Sequence, residues 1–123
     1  QVEFILRHFD SVNLSQIDPY LLAECVKAIL LRIQEPLIPR NHVDDFLGLL
    51  NCEDSESALR GCLNDLAHAN RDTLCFMMDH WKRVLAHSLH NGLTISSFAT
   101  VLAPIVVGFR NEHESIAVME YLL

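Results

Sequence analysis

Residues 18–33 read DPYLLAECVKAILLRI, and this stretch decides the fold. Asp18 is a good helix cap, and Pro19 suits a first helical position, where a missing N–H leaves nothing unsatisfied. Leu22, Cys25, Val26, Ile29, Leu30 and Ile33 then recur at intervals of three and four, which predicts a helix with one apolar face. Glu35-Pro36-Leu37-Ile38-Pro39 cannot continue that helix, because each proline lacks an N–H and biases the residue before it out of the helical region. A buried, extended connector is the expected result.

Working outward, the same period governs most of the chain. Val2, Ile5, Leu6 and Phe9 form a short stripe on the N-terminal side. Val43, Phe46, Leu47 and Leu50 predict a short helix ahead of the polar, acidic stretch 51–57, and Leu59, Cys62, Leu63 and Leu66 predict another. Asn70 can cap a longer helix whose apolar positions, from Leu74 and Met77 through Trp81 to Leu85, run on toward Gly92, a suitable left-handed terminator. Thr94 with Ser97 starts a further helix through Phe98, Val101 and Leu102, which Pro104 is expected to stop. Ile116, Met119, Tyr121, Leu122 and Leu123 mark a last one. No run alternates long enough for a half-buried strand, and Asn91-Gly92 lies between helical segments instead of in a hairpin. The fold class is all-α, in one domain without repeats or linkers.

Composition supports a packed core. Of 123 residues, 50% are hydrophobic and 20% charged, and there are only four Gly and four Pro. Nine Lys and Arg against sixteen Asp and Glu give a formal charge of −7, the wrong sign for a phosphate-binding surface, so nucleic acid is not an expected partner. The longest apolar runs fall well short of the ~20 residues that span a bilayer, so direct membrane insertion is not expected either. Cys25, Cys52, Cys62 and Cys75 are irregularly spaced in helical sequence, as befits reduced thiols in a cytosolic or nuclear protein.

Chemistry-bearing motifs are sparse. His80, His87 and His90 have helical spacing but no intervening carboxylate ligand and no His-Glu-x-x-His, so no metal site is assigned; Asp44-Asp45 and Glu53-Asp54-Ser55-Glu56 read as solvated helix starts. No Gly-x-Ser-x-Gly, signature cysteine or Gly-rich phosphate loop supports an independent enzyme. Lys27 stands out, because it projects from the stripe beside an apolar face with Leu31 as its helical neighbour. A solvated lysine whose stem lies along apolar surface is the competing account.

The segment Leu21 to Pro39, with Lys27 nine residues before Pro36 in Gln34-Glu35-Pro36-Leu37-Ile38-Pro39, resembles the family of Rho GTPase-activating domains, in which a long helix ends in a Pro-Glu-Pro-Leu turn. Ala69-Asn70-Arg71-Asp72-Thr73-Leu74 with Met78, His80 and Arg83-Val84 resembles the family's central helix, most closely in the Rac-directed subfamily of the centralspindlin complex of dividing cells. Asn91-Gly92-Leu93-Thr94 through Ala99 to Pro104, and Val118-Met119-Glu120-Tyr121-Leu122-Leu123, match two further blocks.

The resemblance implies a helical domain, the C-terminal part of a single RhoGAP domain over residues 1–123, that docks on the switch loops of Rac, Cdc42 or Rho. It further implies an arginine inserted beside the γ-phosphate of GTP, which with the partner's glutamine stabilises hydrolysis. GTP and Mg²⁺ would belong to the partner, with no cofactor in this chain. Matched to the family, Lys27, Asn91, Leu93, Ser97 and Thr100 are the expected GTPase-contacting residues. The arginine-finger loop is expected upstream of Gln1; Arg7 and Arg32 do not match its motif, so no catalytic residue is assigned here. Leu31 stands where the family commonly has an arginine bracing the finger, Ser97 where it usually has an asparagine, and Leu102-Ala103-Pro104 where it has Phe-Gly-Pro. These departures keep open a degenerate domain that binds GTPases, or other proteins, without accelerating hydrolysis. The resemblance implies a cytoplasmic location, with recruitment to cytoskeleton or membrane through other parts of the protein and a role in cytokinesis.

Overall fold

The computed structural model describes residues 1–108 and 111–123. These divide by contacts into two units, residues 1–34 and 35–123. Among the described residues there are eight α-helices and a single isolated β-bridge, so the all-α expectation holds.

The first unit holds α1 (Val2–Arg7) and α2 (Pro19–Arg32), which pack on each other. As the sequence predicts, Asp18 caps α2, its Oδ1 accepting from Tyr20 N at 2.9 Å, with Pro19 at the start. Between the helices Asn13 caps a 3₁₀ turn, Leu14–Gln16. Glu3 pairs with both Arg7 and Arg32. The expected apolar face is only partly buried: Ile5, Cys25 and Leu30 are enclosed, whereas Val26, Ile29 and Ile33 are exposed. Length explains this within the unit, because α1 is roughly 9 Å long against about 21 Å for α2 and cannot cover the whole stripe.

In the second unit the connector after α2 is buried and extended as predicted, with Leu37 and Ile38 essentially without solvent contact. Ile38 pairs in parallel with Val107: its N–H donates to Val106 O at 2.9 Å, and its carbonyl accepts from Gly108 N at 2.7 Å. The backbones approach so closely that a Cβ on Gly108 would lie 2.4 Å from Arg40 N, so only glycine fits there. The short α3 (Val43–Leu47) continues into a 3₁₀ turn, Gly48–Asn51, and sends Val43, Phe46 and Leu49 into the core. Asp54, within the acidic stretch, caps α4 (Ser55–Asp65) by accepting from Ser57 N. Then follow α5 (His68–Leu85), α6 (Ser88–Asn91), α7 (Ile95–Val106) and α8 (Glu112–Leu122). The most extensive helix pairing is α7 on α8, which buries Leu102, Val106, Val118 and Met119. Trp81 of α5 meets Phe98 of α7 edge to face, with ring centroids 6.4 Å apart, a favoured arrangement of aromatic quadrupoles.

Three local expectations are corrected. Asn70 does not cap α5; it is the third residue of the helix, and its amide donates to Leu37 O at 3.2 Å and Pro36 O at 3.4 Å. The Pro36 and Leu37 carbonyls lie outside the bridge that Ile38 makes, and this side chain gives them a donor. The long helix after Asn70 does not run unbroken to Gly92 but closes at Leu85. Val84 O there takes a tight bond from His87 N and a second from Asn91 Nδ2, and Gly92 with φ 71° ends the short α6 instead. Pro104 does not stop α7, which runs on to Val106. Proline removes only its own N–H, whose acceptor would be the carbonyl of exposed Thr100, while Ile105 and Val106 beyond it are buried. Burying two large aliphatic side chains at about 1.5–3 kcal/mol each outweighs the roughly 3 kcal/mol penalty of an interior proline. All four cysteines are unpaired. Among the described residues, no helix is long and apolar enough to cross a membrane.

Candidate functional site

The expected contact residues fall into two sets. On α2, Lys27 and Leu31 lie one turn apart on the same face, with Tyr20 and Glu24 completing it at helical spacing. Tyr20 is 81% exposed and Leu31 64%, a large apolar pair left to solvent by the fold. Lys27 is half-buried, its Nζ 2.6 Å from Glu24 Oε1. A partly covered lysine with its ammonium in an ion pair agrees with the account of a side chain lying along the surface with its charge kept near water.

The second set surrounds the α6–α7 turn. Asn91 Nδ2 donates to Val84 O at 2.9 Å, and Asn91 Oδ1 accepts from Leu93 N at 2.9 Å. Both ends of the amide are engaged, tying the turn back to α5 and fixing Leu93, which is half-buried over a hollow lined by Leu85, Ile95 and Leu123. Next comes a complete capping box: Thr94 Oγ1 accepts from Ser97 N, and Ser97 Oγ accepts from Thr94 N, each at 3.0 Å. One turn on, Thr100 turns its hydroxyl back to Ser96 O at 2.9 Å, at the mouth of a cleft of about 220 Å³ that Pro104, Ser115 and Ile116 also line. Asn91, Leu93, Ser97 and Thr100 are thus brought together on one ordered turn and helix start, with their polar groups organising backbone.

Arg7 and Arg32 are both held by the Glu3 carboxylate. Among the described residues no group of three or more His, Cys, Asp or Glu is placed to hold a metal ion. The sequence reading did not single out Glu24 or Tyr20. An i, i+3 pairing of Glu24 with Lys27 was the signal available for the first, whereas the exposure of Tyr20 depends on tertiary packing.

This geometry is accompanied by clear likenesses to known proteins. The family described as RhoGAP domain matches residues 2–111. Mouse Rho GTPase-activating protein 12 is 26% identical over 123 residues, covering 96% of this chain and 15% of that protein. Mouse Rho GTPase-activating protein 27 is 28% identical over 102 residues, covering 80% of this chain and 12% of that protein. The crystal structure of human Rho GTPase activating protein 15 superposes with a TM-score of 0.80 at 19% identity, over 98% of this chain and 62% of that one. The chain therefore spans a small part of the curated relatives it matches, and the structural likeness is one of fold.

Proposed function

This chain belongs to the RhoGAP domain family, and on that premise we propose that it supplies the docking surface by which its protein engages the GTP-bound switch loops of a Rho-family GTPase, Rac or Cdc42 foremost, and stimulates GTP hydrolysis. The family match over residues 2–111 carries this reading. Lys27 is the charged anchor: docking shields its ammonium from water and pairs it with a carboxylate or carbonyl of the partner. Leu93 and Thr100 add contact area, and Asn91 and Ser97 hold the α6–α7 turn in the shape that presents them. Hydrolysis itself needs an arginine beside the γ-phosphate, and Arg7 and Arg32, occupied by Glu3, are not assigned to that task. GTP and Mg²⁺ belong to the partner, and the setting is the cytoplasm, with the cytokinesis role of the centralspindlin-like subfamily as the finer reading.

A second reading, binding without acceleration, is favoured by Leu31. Its exposed isobutyl group offers no hydrogen bond where the family resemblance calls for a bracing arginine.

The test is titration calorimetry of the chain and of Lys27→Ala against Rac, Cdc42 and Rho loaded with a non-hydrolysable GTP analogue. Binding that weakens by ~1–3 kcal/mol on substitution is expected. Failure of all three GTPases to bind overturns the reading. Residues 1–123 alone should accelerate single-turnover hydrolysis by no more than about tenfold, since a supplied arginine is worth roughly 10³–10⁵.

A further inference from the structure

We infer that Glu24 is a positioning residue for docking, holding the Lys27 ammonium in the orientation in which it meets the partner; this rests on the GTPase-docking role of Lys27 proposed above. Three observations carry it. Glu24 Oε1 lies 2.6 Å from Lys27 Nζ, a close charge-assisted contact between side chains three residues apart on α2. Glu24 keeps 58% of its side chain exposed and Lys27 only 31%, so the lysine is the more covered member of the pair and the carboxylate stands at the surface beside it. Tyr20 and Leu31, the large exposed apolar residues of this face, lie about one turn either side of the pair and frame it.

The chemistry follows from donor counting. A lysine ammonium carries three N–H donors, and an ion pair with the single carboxylate of Glu24 leaves donors for an acceptor on the partner. A free lysine side chain on an exposed helix samples many rotamers and loses them on docking. The ion pair restricts those rotamers beforehand, so less ordering remains to be done in the complex. The opposing effect is competition, in which Glu24 would have to release Lys27 before the partner could take it. Competition is avoided because the ammonium can keep Glu24 on one side while a partner acceptor approaches its remaining donors, so docking does not require the pair to break. The Glu24 side chain itself stays 58% exposed beside the ammonium. The face therefore presents a cation and an acceptor together, and suits a partner with an acceptor for Lys27 and a hydroxyl or N–H for Glu24.

The experiment measures Kd by titration calorimetry for the native chain, Glu24→Ala and Glu24→Gln, each with and without Lys27→Ala, against Rac or Cdc42 carrying a non-hydrolysable GTP analogue. Circular dichroism and denaturant unfolding of every variant report the fold. Glu24→Ala should weaken binding roughly two- to tenfold, the cost of immobilising one freed side chain, and should have no further effect once Lys27 is alanine. Glu24→Gln, whose amide oxygen still accepts from the ammonium, should recover most of the loss. A merely helix-stabilising role would lower the unfolding midpoint without this dependence on Lys27, and that result overturns the inference. Unchanged or tighter binding of Glu24→Ala, with Lys27→Ala still weakening it, overturns the inference and leaves the docking role of Lys27 intact. If Lys27→Ala leaves the Kd unchanged, the docking role of Lys27 falls and the inference with it.

Discussion

Asn70 is bonded through its side-chain amide to the carbonyl of Leu37, 33 residues earlier, at 3.2 Å. The bond fastens the connector to the first turn of α5, and a second donation to Pro36 O reinforces it. Asn70→Ala should leave two carbonyls of a partly buried segment without this partner and cost about 1–3 kcal/mol. Asn70→Asp should cost more, because it turns an acceptor toward acceptors. Urea unfolding at neutral pH measures both, and a loss under half a kilocalorie would show that water replaces the amide without penalty.

The glycines should sort by what surrounds them. Gly108→Ala sets a methyl 2.4 Å from the backbone nitrogen of Arg40, which no side-chain motion relieves, and should cost at least ~1–3 kcal/mol. Gly92→Ala meets open space but keeps a φ of 71°, and should cost about 1–2 kcal/mol. Gly61→Ala, in open space within α4, should stabilise by roughly 0.5–1 kcal/mol. Thermal unfolding of the three variants tests the order.

At the start of α7 the reciprocal bonds of Thr94 and Ser97 make Ser97 a structural residue whatever else it does. Thr94→Ala should lower stability by about 1 kcal/mol, with a smaller loss for Ser97→Ala. If Ser97 also touches a GTPase, its substitution should weaken binding when Thr94→Ala, which disturbs the cap more, does not. Equal effects of the two variants on binding would assign Ser97 to the cap alone.

Cys62 should be the slow thiol on this surface. Burial first, then the carboxylates of Asp45 and Asp65, push its pKa above the ordinary thiol value, so less reactive thiolate is present near neutral pH than at an unperturbed cysteine. Alkylation followed by mass spectrometry should find it labelled later than the exposed Cys52 and Cys75. The linkage has a definite sign: with the folded pKa raised, the native state retains the thiol proton that the unfolded state gives up. The stability contributed by this group is complete below the ordinary thiol range and is lost as pH rises through the elevated folded value. Cys62→Ser should flatten that alkaline decline.

Leu31 and Ser97 decide between the two functional readings. In the full-length protein, Leu31→Arg with Ser97→Asn should raise single-turnover GTP hydrolysis while changing affinity little, because a braced arginine improves transition-state electrostatics more than docking. Full acceleration by the unmutated protein would show that neither position limits catalysis, and would remove the degenerate reading.

Much of this was legible because short-range chemistry governs it. Asp18 and Pro19 start α2, Gly92 takes a left-handed turn, and Thr94 with Ser97 caps α7, each as local rules require. Local rules fail where a distant partner outweighs them. Pro104 is carried inside α7 by the burial of Ile105 and Val106, and Asn70 is drawn from capping by carbonyls that only the folded connector brings near. Of the candidate site, the sequence points to Lys27 but not to Glu24 as its companion, and the resemblance that makes Asn91 an expected contact gives no sign that both ends of its amide are engaged.

The pairing of Ile38 with Val107 has a bearing on time as well as energy. The helices close on bonds between near neighbours and can form in about a microsecond, but this bridge joins backbone about 70 residues apart, so the intervening chain must be gathered before the two can meet. A helical chain of this size would ordinarily rank among rapid folders. The packing of α3 on α8 makes a similar demand, and refolding should lag behind that of a short-looped helical bundle of equal length and stability.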